Sequence, residues 1–166
     1  MKNIIIILIT IPLLTSCIKN DLKTMNKARK KMAGNYEITS VEISTYDSTG
    51  NVISNSVLNN PGSIELQYDK TGEEVFNIIK YPSSLVSQTA VFAYIDYSNY
   101  QYWDADPAGK RFLLWCIGPG FSHHISLTQE RDGDEYTWTY IRCNTSSTPY
   151  ANTMDLKEVY KAKKTD

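Results

Sequence analysis

ISLTQERDGDEYTWTYIRC, residues 125–143, decides the fold class of this chain. Two runs with a period of two, Ile125 to Glu130 and Glu135 to Cys143, flank the tight Asp132-Gly133 turn. That is the pattern of a β-hairpin with one buried face. Working back toward the N-terminus, Arg111 to Ile117 reads as a strand that ends at Gly118-Pro119-Gly120. Before it, Val91 to Trp103 reads as strand-rich, with a turn at Asp104 to Gly109. Pro82 to Gln88 reads as a loop. Residues 63–81 read as a hairpin, because Ile64, Leu66 and Tyr68 alternate with polar neighbours and Lys70-Thr71-Gly72 turns the chain. Tyr36 to Tyr46 is a long first strand, Asp47 to Asn51 a turn and Val52 to Leu58 its return, with a break at Asn59-Asn60-Pro61-Gly62. After the opening hairpin comes an Asn144 to Asn152 loop and a last strand, Met154 to Lys161.

Eight or nine strands in meander order, with no helix after the N-terminal segment, predict a mainly β domain. The layout favours an antiparallel up-and-down β-barrel of about eight strands with a short N-terminal helix. Closure would remove the strand edges that invite aggregation, and a sandwich is the alternative architecture. Twelve tyrosines and three tryptophans against four phenylalanines suit sheet faces whose aromatics keep a polar tip in water.

The first seventeen residues, MKNIIIILITIPLLTSC, say where the protein lives. Lys2 is a positive n-region and Ile4 to Leu14 an apolar stretch. That stretch is shorter than the roughly 20 residues a membrane-spanning helix needs, so a cleaved signal is the reading. Leu14-Thr15-Ser16-Cys17 resembles the lipobox of bacterial lipoprotein precursors. The resemblance implies a signal peptide over residues 1–16, acylation of Cys17, a lipidated tether and short helix over 17–33, and a barrel domain over 34–166. It also implies a lipid anchor in the bilayer, with outer-membrane residence because Ile18 rather than aspartate follows the cysteine. Within the tether Leu22, Met25, Ala28 and Met32 recur at helical spacing, lysines and Arg29 fill the other positions, and Gly34 ends the helix. Those bases suit either anionic headgroups or a solvated helix face.

The chain carries 17 basic and 18 acidic side chains, and loss of Lys2 with the signal leaves 16 against 18, a balance that points away from nucleic acid. Cys116 and Cys143 remain in an oxidising compartment, where either a disulfide between them or two buried free thiols fits their apolar surroundings.

A short helix, Gly34-Asn35-Tyr36 at the head of a long strand, and a run of hairpins resemble the lipocalin-like (calycin-type) β-barrel lipoproteins. Lipocalins open on Gly-x-Trp, whose tryptophan packs against a late arginine. The resemblance places Tyr36 at the tryptophan position and Arg142 at the arginine position. It implies a non-enzymatic carrier of a small apolar or amphipathic ligand, with Tyr36, Tyr94, Trp115, Trp138 and Tyr140 as candidate lining.

The alternative is a cell-envelope interaction module that binds a glycan or a partner protein through exposed aromatics. Tyr94 to Trp103 on one strand would align aromatic faces with Asp, Asn and Gln, chemistry that suits sugar rings. Tyr97, Tyr100, Tyr102 and Trp103 are the candidates, weighed against plain cross-strand packing. No catalytic motif is present: the chain has no Gly-x-Ser-x-Gly, no Cys-His pairing and no phosphate loop. His123-His124 on a strand would point to opposite faces, so no metal site is expected and no cofactor is implied.

Overall fold

The computed structural model describes residues 23–68, 79–80, 83–86, 88–96, 100–143 and 153–166. The signal segment with Cys17, Tyr97 and the 144–152 loop lie outside these residues. Helix α1 covers residues 23–32, and eight strands follow. They are β1 (Gly34–Tyr46), β2 (Val52–Leu66), β3 (Ile79–Lys80), β4 (Tyr100–Ala105), β5 (Arg111–Gly118), β6 (Phe121–Asp132), β7 (Glu135–Cys143) and β8 (Met154–Lys164). Two short helices, α2 (Ser83–Val86) and α3 (Ala90–Asp96), separate β3 from β4.

All eight strands form one antiparallel sheet in the order β3-β2-β1-β8-β7-β6-β5-β4. The 125–143 hairpin forms as read, with Asp132 opposite Glu135 and Gly133 at φ 58°, the left-handed backbone that a two-residue loop requires of its glycine. At the β1–β2 turn the Asp47 carboxylate accepts hydrogen bonds from the Thr49 hydroxyl (2.7 Å) and the amides of Thr49 and Asn51 (both 2.9 Å). These bonds, the Thr49 hydroxyl first, hold its pKa down at about 2.

Several expectations need correction, among them the Pro82 to Gln88 loop, which contains α2. Asn59 to Gly62 does not break the chain. β2 runs through it as a bulge in which Asn60 and Pro61 face Thr39 alone, and Asn60 takes a φ of 47°. β1 answers the irregularity. Its inward residues step from Tyr36 and Ile38 to Val41, because Thr39 is also the extra residue against β8, where Ile38 pairs with Ala162 and Ser40 with Lys161. Nor is 91–103 one strand, since residues 90–96 are helical and the chain has helices beyond the first. Buried Thr89 caps α3 through its hydroxyl, which accepts from the Phe92 amide at 3.3 Å.

One face of the sheet forms the core. Tyr36, Ile38, Val41, Ile64, Leu66, Trp103, Phe112, Leu114, Leu127, Trp138 and Tyr160 are all at most 1% exposed, and Met32, Leu85, Val91 and Phe92 from the helices join them. β8 presents Leu156, Glu158, Tyr160 and Ala162 inward, so a carboxylate sits at 0% exposure among apolar side chains. It is satisfied there. Glu158 accepts from the amides of Ala90 (2.7 Å) and Val91 (3.3 Å) and from the Tyr160 hydroxyl, which pins α3 against β8 while Phe92 packs edge-on to Tyr160 at 5.5 Å.

The sheet curls so that β4 reaches the chain just past β2. β2 and β4 stand six places apart in the strand order, roughly 29 Å in a flat sheet at the usual inter-strand spacing, yet the Trp103 indole N–H donates to the Gln67 carbonyl just past β2 at 2.9 Å. No ladder joins β3 to β4 among the described residues, and the Trp103 side chain makes the contact across that gap. α1 covers the end at which β1 starts and β8 finishes. Ala28 and Met32 are buried, Arg29 forms a two-point ion pair with Asp104 (2.6 and 2.7 Å), and Lys164 donates to the carbonyls of Ala33 (2.5 Å) and Lys31 (3.2 Å) at the helix C-terminus. Asp104 is thus a docking residue within β4, outside the turn that the sequence suggested.

Candidate interaction surface

Among the described residues, aromatics expected to line a cavity pack on one another instead. Tyr36 and Trp138 are fully buried and packed on one another, with ring centroids 5.2 Å apart, and Tyr136 closes on Tyr36 edge-on at 5.1 Å. Phe112 bridges Trp138 (5.3 Å) and Trp103 (5.9 Å). The polar tips are occupied as well. The Trp138 indole donates to the Gln129 side-chain oxygen at 3.0 Å, the Gln129 amide donates to the Gly109 carbonyl at 2.8 Å, and the Tyr36 hydroxyl donates to the Met32 carbonyl. Burial, then the neighbouring Tyr136, pushes the Tyr36 pKa far up.

Of the five residues expected to line one pocket, Tyr36 and Trp138 therefore belong to the core. Tyr140 is half-buried against that core, Trp115 points to the opposite face of the sheet, and the side chain of Tyr94 lies outside the described residues. Arg142 also departs from the expected place. It pairs with Asp155 at 3.0 Å while half-exposed near the far end of β7, and the cation over the Tyr36 ring is Lys164, 5.7 Å from its centroid.

The outer face of β4, β5 and β6 carries the more notable arrangement. Tyr102 pairs directly with Trp115, and Trp115 directly with His124, so three aromatic rings form one row across three neighbouring strands. Trp115 is 37% exposed and His124 is exposed, with their centroids 5.4 Å apart and planes inclined by 49°. Ser126 and Ser122, both exposed on β6, stand in the flanking rows opposite Leu113 and Ile117. An inclined aromatic row edged by hydroxyls and an imidazole offers flat faces for C–H stacking beside directional hydrogen-bond groups. Of the candidate surface residues, Tyr102 belongs to this row. Trp103 is the exception, buried at 1% exposure on the inner face, and the side chain of Tyr100 lies outside the described residues.

His124 escapes a reading of the sequence that treats the histidines only as metal ligands. Centring the hairpin on Pro119-Gly120, with Gly118 opposite Phe121, is the signal that places it beside Trp115. Among the described residues no group of three or more His, Cys, Asp or Glu side chains could hold a metal ion. Cys143 is a free, exposed thiol at the end of β7, and the side chain of Cys116, the other half of the expected pair, lies outside the described residues.

These features define a mainly β protein built on one antiparallel sheet, with an aromatic core on one face and an aromatic row on the other. No family model matches the chain, and neither a curated protein nor a solved structure matches it.

Proposed function

We propose that this chain is a lipid-anchored protein of the bacterial cell envelope. Its domain over residues 34–166 is a lipocalin-like β-barrel that works as an interaction module, binding a glycan through the outer row Tyr102–Trp115–His124. One observation carries the choice between carrier and module. The aromatics that would line a lipocalin-like cavity are packed on each other with their hydrogen bonds satisfied, while Trp115 stands on the outer face in register with two further rings. The strand order and the meeting of β2 and β4 support the barrel, and the lipobox at Leu14 to Cys17 supports the anchor.

The test is binding of the full chain, in nonionic detergent, to an immobilised panel of envelope glycans. Trp115→Ala should lower the affinity for whatever glycan is retained by about tenfold, the loss of one stacked face. Ile141→Ala, which removes an exposed apolar side chain elsewhere on the outer surface, should leave it unchanged. Equal effects of the two substitutions, or an internally carried small molecule released on denaturation, would return the assignment to the carrier. Palmitate labelling tests the anchor separately, and label that survives Cys17→Ala would refute lipidation at that residue.

A further inference from the structure

A second feature lies at the other end of the molecule, between α1 and the β4–β5 and β6–β7 turns. There a cleft of about 330 Å³ opens to solvent. Its floor is apolar, from Ala28, Met32 and Tyr136, all buried, and its wall includes Pro107. Its charged lining is of one sign. Lys27, Lys31 and Arg131 border it, and no carboxylate among the described residues does.

Within the cleft the lining supplies no balancing acid; the carboxylates of Glu130, Asp132 and Glu135 border a neighbouring cleft that shares Arg131 and Tyr136 with this one. Lys27 and Lys31 lie four residues apart on α1, the spacing at which like charges face each other and destabilise a helix. Neither ammonium group has an ion-pair partner among the described residues. Arg131 spends its Nε–H on the Gly133 carbonyl (2.6 Å) and rests its guanidinium over Tyr136 at 5.2 Å, which fixes the group at the cleft rim and leaves its cationic charge uncancelled by any acid lining the cleft. Arg29, on the far side of the helix, is by contrast paired with Asp104. Three cations around an apolar floor, with no carboxylate among the described residues that line it, describe a site for an anion that carries an apolar body.

We infer that this cleft binds the phosphoryl headgroup of an anionic phospholipid, with Lys27, Lys31 and Arg131 taking the phosphate oxygens and Ala28, Met32 and Tyr136 the glycerol and first methylenes. The site is separate from the aromatic row. It draws on the anchored reading only for the choice of a lipid as the source of phosphate, since α1 follows Cys17 closely in the chain and an acylated cysteine would hold this end at the bilayer surface. Bound there, a headgroup would orient the domain on the membrane.

The experiment uses the full chain in nonionic detergent and follows the Arg131 side-chain and Tyr136 ring signals by NMR during titration with three probes: dihexanoyl phosphatidylglycerol, its fragment glycerophosphoglycerol, and inorganic phosphate. The lipid should shift both signals saturably, and Lys27→Gln/Lys31→Gln should weaken it about tenfold or more. Lys23→Gln/Lys30→Gln removes the same charge from the same helix but not from the cleft lining, and should cost less than about twofold for exposed, screened charges. Tightest binding of the lipid identifies a headgroup site, and inorganic phosphate binding as tightly as the lipid assigns the same site to the free anion. Equal losses in the two lysine pairs would reduce the effect to diffuse charge and overturn the site, as would the absence of a saturable shift with every probe. Because the fragment and phosphate arms do not depend on acylation, a failure of the anchor reading would leave this result interpretable.

Discussion

Glu158 shows how one side chain can organise a core. It is fully buried, yet it accepts from two amides at the start of α3 and from the Tyr160 hydroxyl, so its removal takes the acceptor from all three at once. Glu158→Ala should therefore cost about 3 kcal/mol or more in chemical denaturation, and Glu158→Gln less, because an amide oxygen still accepts from the backbone. The tyrosines predict an alkaline limit. Burial first and then Glu158 raise the pKa of Tyr160, and burial with Tyr136 raises that of Tyr36, both above the ordinary value of 10.0. A raised folded-state pKa means that the folded chain holds its proton more tightly than the unfolded one. Stability from these groups is thus complete below pH 10 and falls as pH rises above it. Phenolate absorbance should show these two tyrosines silent until unfolding, and Tyr160→Phe should flatten the alkaline loss. At Gly34, φ is 142° and a Cβ would meet the Asp166 carboxylate oxygen at 2.4 Å and the Lys164 side chain at 2.6 Å. Both obstacles are ends of flexible side chains, so the backbone strain would remain as the main penalty of Gly34→Ala.

At the scale of elements, α1 and α3 show what the sequence discloses and what it withholds. α1 was legible because Ala28 and Met32 fall on one face and Gly34 follows, all within a dozen residues. Its docking was not, since Asp104 lies 75 residues from Arg29 and reads locally as part of a turn. Arg29→Ala would strand a carboxylate of 7% exposure and should cost about 2 kcal/mol, loosening α1 before the sheet; faster amide exchange confined to residues 23–33 is the signature. α3 reads as strand because Val91, Phe92, Tyr94 and Ile95 favour strands by local preference. Long-range contacts reverse that preference, chiefly Glu158, 68 residues away from Ala90. The bulge at Thr39 carried a readable signal that alternation alone concealed. Tyr36, Ile38 and Val41 can all be buried only if the period of two slips once, and Asn60-Pro61-Gly62 on the partner strand marks where.

The meander order of the whole molecule follows from its turn residues, and the return of β8 to β1 follows from having to cover a strand with two hydrogen-bonding edges. What lies inside the roll does not follow from the same pattern, because an aromatic on an inward strand position lines a cavity or fills it with the same periodicity. Trp115 and Trp138 illustrate the difficulty: both sit in aromatic-rich strands, and only the register of β5 and β7 sends one outward and the other into the core. Across the gap between β2 and β4 one indole makes a hydrogen bond. Trp103 is 1% exposed, packs on Phe112, and makes the bond to Gln67 across the gap between β2 and β4. Trp103→Phe keeps an aromatic body there but removes that donor, leaving the Gln67 carbonyl without it, for a loss of about 1 kcal/mol. If side chains hold the roll where strand pairing does not, the consequence is local. Amides of β4 and of the last residues of β2 should exchange faster in the variant, while those of β1, β8 and β7, paired on both sides, should keep their protection. Uniform loosening across all eight strands would instead mean that the seam and the centre open together, as they do in a barrel closed by a continuous ladder.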